Sequence, residues 1–362
     1  MERILVLGFI LATLSLMTTE FACNGDVHSG NCLESDREAL VDFKNGLKYS
    51  KNRFSSWKGS NCCHWEGINC KNSTGVVVSI DLHNSYDSFS DYQNWSSTKL
   101  SGEIRPSLKK LKFLRYLDLS GNSFDDISIP QFFGSLKDLQ YLNLSNSGFS
   151  GAIPPNIGNL SNLQSLDLSS EFSYLWSDNL DWMAGLVSLK NLNMNHANLS
   201  MVGPHWAGVL SKLPILTDLH LIGCNLSGSI SSLGSSNFSS LAILSISQNT
   251  FNSKFPEWLV NISSLVSIDI SDCELWGRVP LDLSELPNLQ YLDLSGNKNL
   301  EGSCAQLLKG SWRRIEVLIL ASNNLHGKFP LLPTKFFINS SFWYQMNNVE
   351  GTIKRNLFIW IN

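Results

Sequence analysis

The sequence of 362 residues predicts one elongated α/β solenoid. A hydrophobic pattern recurs about every 24 residues, about eleven times between Gly75 and Ile353. Within each copy, apolar and polar residues alternate over a short stretch, which indicates a strand with one buried face. Because a unit of this size cannot bury its apolar face alone, the copies are expected to stack around a continuous core.

The clearest copy of the repeat is Leu114-x-x-Leu117-x-Leu119-x-x-Asn122, which is the pattern of leucine-rich repeats. Leu117 and Leu119 are predicted to point inward, and Tyr116 outward. Stacked copies predict a concave parallel β-sheet with 3-10 or irregular segments on the convex side. Since neighbouring strands lie about 4.8 Å apart, the sheet would be on the order of 50 Å long.

The chain divides into four predicted segments. They are a signal peptide at 1–24, an N-terminal cap at 25–73, about eleven repeats at 74–354, and an uncapped end at 355–362. Two insertions are expected to interrupt the repeats, at 86–98 and 171–183. A stack of repeats needs a cap because its end otherwise exposes an apolar face.

The first segment has the composition of a secretory signal. Arg3 precedes an apolar run from Ile4 to Met17, and small residues follow from Ala22. The run is shorter than the ~20 apolar residues that span a bilayer. We therefore predict export to the extracellular space, with no membrane span beyond the signal peptide.

Asn-x-Ser/Thr sequons support export. The Asn-Leu-Ser phrases of the repeat raise their number by chance, but several are expected to be glycosylated in a secreted chain. The nine sequons are Asn72, Asn94, Asn143, Asn159, Asn198, Asn225, Asn237, Asn261 and Asn339.

The predicted cap combines a helix with a cysteine cluster. Ser35 and Glu38 have the spacing of a capping box at the start of the helix. Cys32, Cys62, Cys63 and Cys70 follow in the same segment, and an oxidising compartment favours disulfides. The sequence alone leaves their connectivity open, and a zinc site is the alternative.

A polar slot follows each predicted strand. Side chains there are expected to bond backbone groups of neighbouring coils as a buried structural ladder. Its members are Asn122, Cys224, Asn249, Cys273, Asn297 and Asn323. Cys224 and Cys273, together with Cys304, are predicted to be buried structural thiols.

Candidate ligand contacts are sought where the repeats depart from their consensus. Outward aspartates recur in one slot, so they are interpreted as generic repeat surface rather than as paired acids or a metal site. The candidates are Tyr116, Tyr141, Asn191, Asn193, Asn195, Asp218 and His220, with Tyr174, Trp176 and Trp182 from the second insertion. Exposed aromatic residues often anchor partners. The alternative is an insertion that folds back and buries them.

Several classes of function are not supported. The formal net charge of −4 and the lack of a basic run make nucleic acid an unsuitable partner. No motif of a nucleotide-binding loop, a kinase, a zinc protease or a serine hydrolase occurs. The seven histidines lack ligand spacing. We therefore expect neither an enzyme nor a bound cofactor.

Two motifs resemble a known family. The segment from Ser35 to Cys70, with Trp57 and the Cys62-Cys63 pair, is similar to the plant N-terminal leucine-rich-repeat cap. The phrase Phe149-Ser-Gly-Ala-Ile-Pro154 is similar to the plant extracellular repeat subclass. The resemblance implies a second sheet and the disulfides Cys32–Cys62 and Cys63–Cys70.

Over nearly the whole chain, the sequence resembles plant receptor-like proteins, particularly those that perceive fungal xylanase. The resemblance implies extracellular recognition of a peptide, protein or glycan in plant defence, with signalling through co-receptor kinases. It also implies a location in the apoplast, or at the apoplastic face of the plasma membrane in a longer, anchored form. The sequence is expected to be C-terminally truncated relative to that family.

Two alternatives remain open at this point. The first is a secreted inhibitor of pathogen wall-degrading enzymes, similar to polygalacturonase inhibitors, although the cysteine-bearing C-terminal cap of those inhibitors is missing. The second is a truncated decoy or fragment. In either case the function would be binding, and the ligand is not identified by the sequence.

Overall fold

The computed structural model describes residues 31–50, 52–85, 98–124, 127–171, 174–231 and 238–328, and the backbone of strands at 348–350 and 359–360. The predicted signal peptide (1–24), nearly all of the insertion at 86–98, and the sequons Asn94, Asn237 and Asn339 lie outside the described residues. Of the predicted end at 355–362, only residues 359–360 are described.

One long sheet runs through the described part of the chain, with twelve strands. In spatial order they are Ile68–Cys70, Val77–Asp81, Tyr116–Asp118, Tyr141–Asn143, Ser165–Asp167, Asn191–Asn193, Asp218–His220, Ile243–Ser245, Ser267–Asp269, Tyr291–Asp293, Val317–Ile319 and Ile359–Trp360. All neighbours pair in parallel except the first two, which are antiparallel. The predicted parallel sheet is confirmed.

The register of the long sheet aligns equivalent positions of successive repeats. Leu117 pairs with Leu142, and Leu142 pairs with Leu166. These central residues have no solvent exposure, so the rows of leucine form a continuous core. The first and third residues of each strand project to the opposite side, which we call the outer face.

A second sheet is present in two pieces. Ser150–Ala152 pairs with Tyr174–Trp176, and further along the chain a four-stranded piece contains Trp276–Arg278, Asn299–Ser303, Asn324–Lys328 and Asn348–Glu350. Gly151, Gly277 and Gly327 have φ of 86°, 87° and 93°. Because this region of backbone space favours glycine, the Gly-x-Ile-Pro phrase can turn the chain into the second sheet.

Short helices occupy the side away from the long sheet. The 3-10 helices are Cys62–His64, Pro106–Lys110, Gln131–Ser135, Pro155–Asn159, Asp181–Gly185, Gly203–His205, Glu257–Asn261 and Leu281–Glu285, and the short α-helices are Trp206–Leu210 and Cys304–Leu307. Glycine allows close stacking here. A Cβ on Gly134 would lie 2.0 Å from the carbonyl oxygen of Asn156, and one on Gly158 would lie 2.1 Å from that of Trp182.

The cap contains the longest described helix, Glu34–Gly46. The following strand, Leu47–Lys48, pairs antiparallel with Ser101–Gly102. The predicted capping box is wrong, because Leu33 is the N-cap and makes no side-chain capping bond. Since the helix begins two residues earlier than predicted, Ser35 lies inside the first turn and its hydroxyl donates to Asp36.

Asp36 connects the cap to the long sheet. Its carboxylate is 5% exposed and accepts a hydrogen bond of 2.9 Å from the backbone N–H of Val77. Val77 is the first residue of the second strand. A hydrogen bond to a charged group contributes about 1.5–3 kcal/mol, so this contact fixes the helix against the first coil.

Both implied disulfides are present in the cap. Cys32 is bonded to Cys62, with Cα atoms 5.3 Å apart, and Cys63 is bonded to Cys70, with Cα atoms 5.4 Å apart. These bonds occupy the sulfur atoms that the alternative zinc site would require. The pairing implied by the resemblance is confirmed.

The three other cysteines of the described residues are buried as free thiols. Burial raises the pKa of Cys224 to about 12 and that of Cys304 to about 11, and it also raises the pKa of Cys273. The thiolate is the reactive form of cysteine. Burial therefore keeps all three cysteines in the unreactive thiol form.

The buried ladder is formed by side chains in the slot after each strand. Asn297 donates to the carbonyl oxygens of Ile270 and Leu294 at 2.9 Å, and its amide oxygen accepts from the N–H of Leu275 at 2.9 Å. Asn122 and Asn249 repeat this arrangement. Each asparagine therefore connects its own coil to the preceding one.

Serine and cysteine fill the slot differently. Cys273 and Ser147 donate to the preceding coil but supply no amide oxygen. In these coils the acceptor is the backbone carbonyl instead: Phe124 N–H bonds Ser147 O at 2.7 Å, and Leu199 N–H bonds Cys224 O at 2.8 Å. The backbone carbonyl of the slot residue thus replaces the amide oxygen of asparagine as the acceptor. The sequence pattern, limited to Asn or Cys, missed Ser147.

Candidate ligand-binding face

The outward aspartates of the long sheet have a structural role. Each accepts hydrogen bonds from the backbone N–H and the hydroxyl of the serine two residues later, at Asp118, Asp167, Asp269 and Asp293. Burial raises the pKa of Asp167 and of Asp293 to about 6, and the serine bonds oppose that rise. Their interpretation as repeat surface agrees with these contacts.

Tyr116 and Tyr141 form a wall near the N-terminal end of the outer face. Their rings are parallel to within 3°, with centroids 4.3 Å apart. Both hydroxyls donate to Oδ2 of Asp118, at 3.3 and 3.4 Å, and Asn143 Nδ2 donates to the same oxygen at 3.2 Å. Burial raises the pKa of both tyrosines. The pair is rigid and uncharged.

The structure brings the predicted polar residues of two adjacent strands together. Asn191 pairs with Asp218, and Asn193 pairs with His220. We call these four residues, with Asn195, the central patch. All five side chains are half-buried. Burial lowers the pKa of His220 to about 4, so this histidine is neutral at pH 7.

The amides of the central patch are largely engaged in structure. Asn193 Oδ1 accepts from the N–H of Asn195, and Asn193 Nδ2 donates to Asp167. Where other repeats have aspartate, this coil has His220, and the backbone N–H of Ile222 bonds Asn195 Oδ1 at 2.8 Å instead. The preceding coil thus supplies the acceptor that the aspartate supplies elsewhere.

Asp218 differs from the other acids of the outer face. It stands at the first position of its strand, where no serine follows two residues later. Among the described residues, no hydrogen bond or ion pair reaches its carboxylate, and burial raises its pKa to about 6. The half-buried carboxylate of Asp218 is therefore available to a ligand.

The aromatic residues of the second insertion differ in their solvent exposure. Tyr174 and Trp176 are 72% and 41% exposed on the second sheet rather than on the outer face. Trp182 is only 9% exposed, and its indole N–H donates to the hydroxyl of Ser177. Its prediction as a surface contact is wrong, because the 3-10 helix Asp181–Gly185 turns its side chain into the core.

A further exposed aromatic residue was missed by the sequence reading. Trp276 is 39% exposed on the second sheet, and the ammonium of Lys254 lies 5.3 Å from the centroid of its ring. Trp276 directly precedes Gly277 in the Leu-x-Gly phrase. Residues at that position project from the second sheet, so the place of Trp276 in the phrase could have indicated its exposure.

Five of the nine sequons have exposed asparagines in the described residues, namely Asn72, Asn159, Asn198, Asn225 and Asn261. Asn143 is half-buried, and its Nδ2 donates to both Asp118 and the hydroxyl of Tyr141. A glycan on that nitrogen would remove a donor and disrupt this contact. A glycan at Asn143 would therefore cost the folded chain these two hydrogen bonds.

The stacked coils, their asparagine ladder and the disulfide-bonded cap define a leucine-rich-repeat protein. The chain belongs to this family: residues 93–330 match the leucine-rich repeat region, and residues 33–71 match the leucine rich repeat N-terminal domain. No helix in the described part of the chain has the length and apolar character needed to cross a bilayer.

Among characterised proteins, the chain is similar to plant receptor-like proteins. It is 34% identical to Receptor-like protein EIX1 of Solanum lycopersicum over 96% of its own length. The chain spans only about a third of such relatives, 37% of this one and 36% of Receptor-like protein EIX2.

Solved plant ectodomains share the fold. The leucine-rich-repeat ectodomain of GASSHO1/SCHENGEN3 from Arabidopsis thaliana, in complex with CASPARIAN STRIP INTEGRITY FACTOR 2, has a TM-score of 0.67 and 27% identity, covering 82% of this chain and 33% of that one. HAESA from Arabidopsis, in complex with the peptide hormone IDA and the co-receptor SERK1, has a TM-score of 0.65 and 26% identity, covering 82% and 51%.

Proposed function

We propose that the chain recognises an extracellular peptide, protein or glycan as part of the ectodomain of a receptor-like protein in plant defence. The observation that carries this proposal is the 34% identity to a receptor-like protein over 96% of the chain. The long outer face supports it, because a row of parallel strands suits an extended ligand better than a compact small molecule.

We place the principal contact at the central patch. Asp218 offers a carboxylate without a partner among the described residues, and the neutral His220 stands two residues away on the same strand. Its register partners are the apolar Ile243 on the next strand and the polar Asn191 on the preceding one. A ligand with a guanidinium or ammonium group would pair with Asp218 and displace water from it.

The tyrosine wall extends the proposed contact surface toward the cap. Aromatic rings that are already held by stacking and hydrogen bonds lose little conformational entropy on binding. Tyr116 and Tyr141 lie on the strands that precede the central patch by two coils or more. An extended ligand along the outer face would therefore meet an aromatic wall first and the carboxylate of Asp218 further along.

The proposed function is binding without catalysis. The aspartates of the repeats are held by serines, and the free thiols are buried. Signalling would therefore require a partner, for which we propose a co-receptor kinase. HAESA, which shares this fold, has been crystallised with a co-receptor. We propose a location in the apoplast or at the apoplastic face of the plasma membrane.

The proposal is tested with the chain secreted from a plant or insect host. Fungal xylanase and polygalacturonase are the two probes, in a titration by calorimetry and in an enzyme assay. Xylanase binding that falls at least tenfold in Asp218→Ala, but not in Val187→Ala, supports receptor-type recognition at the central patch. Val187 is the control because it is exposed after the 3-10 helix Asp181–Gly185, away from the outer face.

Two outcomes would contradict the proposed function or its proposed location. Inhibition of polygalacturonase activity by the chain, without xylanase binding, would replace the receptor with a secreted inhibitor. Xylanase binding that is unchanged in Asp218→Ala and in His220→Ala would keep recognition but remove it from the central patch.

A further inference from the structure

Asn198 lies beside Trp176 in the second sheet. The two residues form a parallel bridge, in which the N–H of Asn198 donates to Leu175 O at 2.9 Å and the N–H of Ser177 donates to Asn198 O at 3.2 Å. Paired residues of parallel strands project to the same side and lie about 4.8 Å apart. Both side chains are exposed, whereas Leu175 and Leu199 on the opposite side are buried.

The amide of Asn198 is positioned for modification. Its Oδ1 accepts from the backbone N–H of Ser200 at 3.1 Å, which fixes the orientation of the amide. Its Nδ2 has no hydrogen-bond acceptor among the described residues, and the sequon Asn198-Leu-Ser200 is exposed at both polar positions. Asn143 has the same Asn-Leu-Ser sequence, but its nitrogen donates to Asp118 and Tyr141.

Trp176 presents apolar surface at the neighbouring position. Its side chain is 41% exposed, and its other register neighbour is the small Ala152, which leaves the ring uncovered on that side. The C–H face of a pyranose carries partial positive charge and is apolar, so it suits the negative face of an indole. Burial of such surface stabilises the folded state.

From this juxtaposition we propose that Asn198 carries an N-linked glycan whose first N-acetylglucosamine packs against the indole of Trp176. The glycan is attached through Nδ2, and the neighbouring strand lies one strand spacing away, so the first sugar ring reaches the indole without any change in the backbone. Trp176 then serves as an internal support for the glycan rather than as an anchor for a partner.

The proposal has a consequence for the second sheet. With its glycan in place, the exposed aromatic surface at Trp176 is shielded, and partners are directed to the outer face of the long sheet. This inference does not depend on the proposed function, because it concerns two residues of the same chain.

The first test is glycopeptide mass spectrometry of the protein secreted from a plant or insect host. We expect the peptide that contains Asn198 to be occupied. An Asn198 found unmodified in the folded, secreted protein would overturn the proposal.

The second test is a double-mutant cycle on thermal stability with Trp176→Ala, Asn198→Gln and the combined variant. Each single change is expected to lower the Tm by about 2 °C, and the combined change by little more, since either one abolishes the same contact. Glycosidase trimming to a single N-acetylglucosamine should preserve the wild-type Tm.

Asn159→Gln, at an exposed sequon on a 3-10 helix, is the matched control and should combine additively with Trp176→Ala. Additive losses for Asn198→Gln and Trp176→Ala would refute the stacking.

Discussion

The rings of Tyr116 and Tyr141 stack at 4.3 Å on neighbouring strands, and both hydroxyls donate to one oxygen of Asp118. Aromatic pairs of this kind add about 0.5–1.5 kcal/mol beyond the area that they bury. The same two residues that favour a ligand contact by their chemistry also stabilise the unliganded sheet. A substitution there will therefore lower stability and affinity together, whereas a substitution of Asp218 breaks no hydrogen bond among the described residues.

The ladder predicts a large loss of stability when Asn297 is shortened. Asn297→Ala would leave two carbonyl oxygens and the N–H of Leu275 without their buried partner. We expect the free energy of unfolding to fall by about 3 kcal/mol, measured by urea denaturation. Asn297→Cys is the matched comparison, because Cys273 fills the equivalent slot with one donor, and its loss should be smaller.

Gly158 predicts a steric effect on the side opposite the long sheet. In Gly158→Ala the new Cβ would lie 2.1 Å from a backbone oxygen of Trp182, so two coils must separate. We expect a decrease in Tm of several degrees, from a loss of about 1–3 kcal/mol. Gly208→Ala is the control: nothing lies within 4 Å of its added Cβ, and the short helix should gain about 0.5–1 kcal/mol. A Gly158→Ala protein as stable as Gly208→Ala would contradict the close stacking.

The raised pKa of Asp218 predicts that the stability of the folded chain depends on pH. Its pKa rises from an unfolded value of about 3.9 to about 6 in the folded chain, so folding favours the protonated form. This group's contribution to stability is therefore complete below pH 4 and is lost as pH rises through 6. Asp218→Asn should have a higher Tm than the wild type at pH 7 and an equal Tm at pH 4. Asp178→Asn, at an exposed carboxyl, is the control variant.

The burial of the three free thiols predicts that they react slowly in the native protein. In the native protein, Cys224, Cys273 and Cys304 should resist iodoacetamide, because all three thiols are buried and burial raises their pKa values. Rapid labelling of any of them before unfolding would contradict the structure.

The two disulfides should differ in their contribution to stability. Chain entropy predicts a loss of about 3.7 kcal/mol on replacing Cys32 and Cys62 by serine, and about 2.5 kcal/mol for Cys63 and Cys70, because the first bond closes the longer loop. Denaturant titrations of the two double variants would test this order.

Periodicity explains why much of the fold was predictable. Leu117 and Asn122 recur at fixed spacing, so their burial and the ladder follow from the sequence alone. Trp176 and Trp182 lie only six residues apart in one insertion, and their opposite exposure depends on the path of the chain, which no repeat specifies. Likewise, Asn195 of the preceding coil bonds the N–H of Ile222, in the coil where His220 replaces the usual aspartate, and no repeat consensus specifies that substitution.

The antiparallel pairing of Ile68–Cys70 with Val77–Asp81 makes the array directional. A parallel coil cannot be added on that side, because the edge strand runs the opposite way and is fixed to the disulfide-bonded segment through Cys70. Gene duplication of coils can therefore lengthen the array only beyond this boundary. The length of the outer face can then change over evolutionary time while the disulfide-bonded cap stays the same.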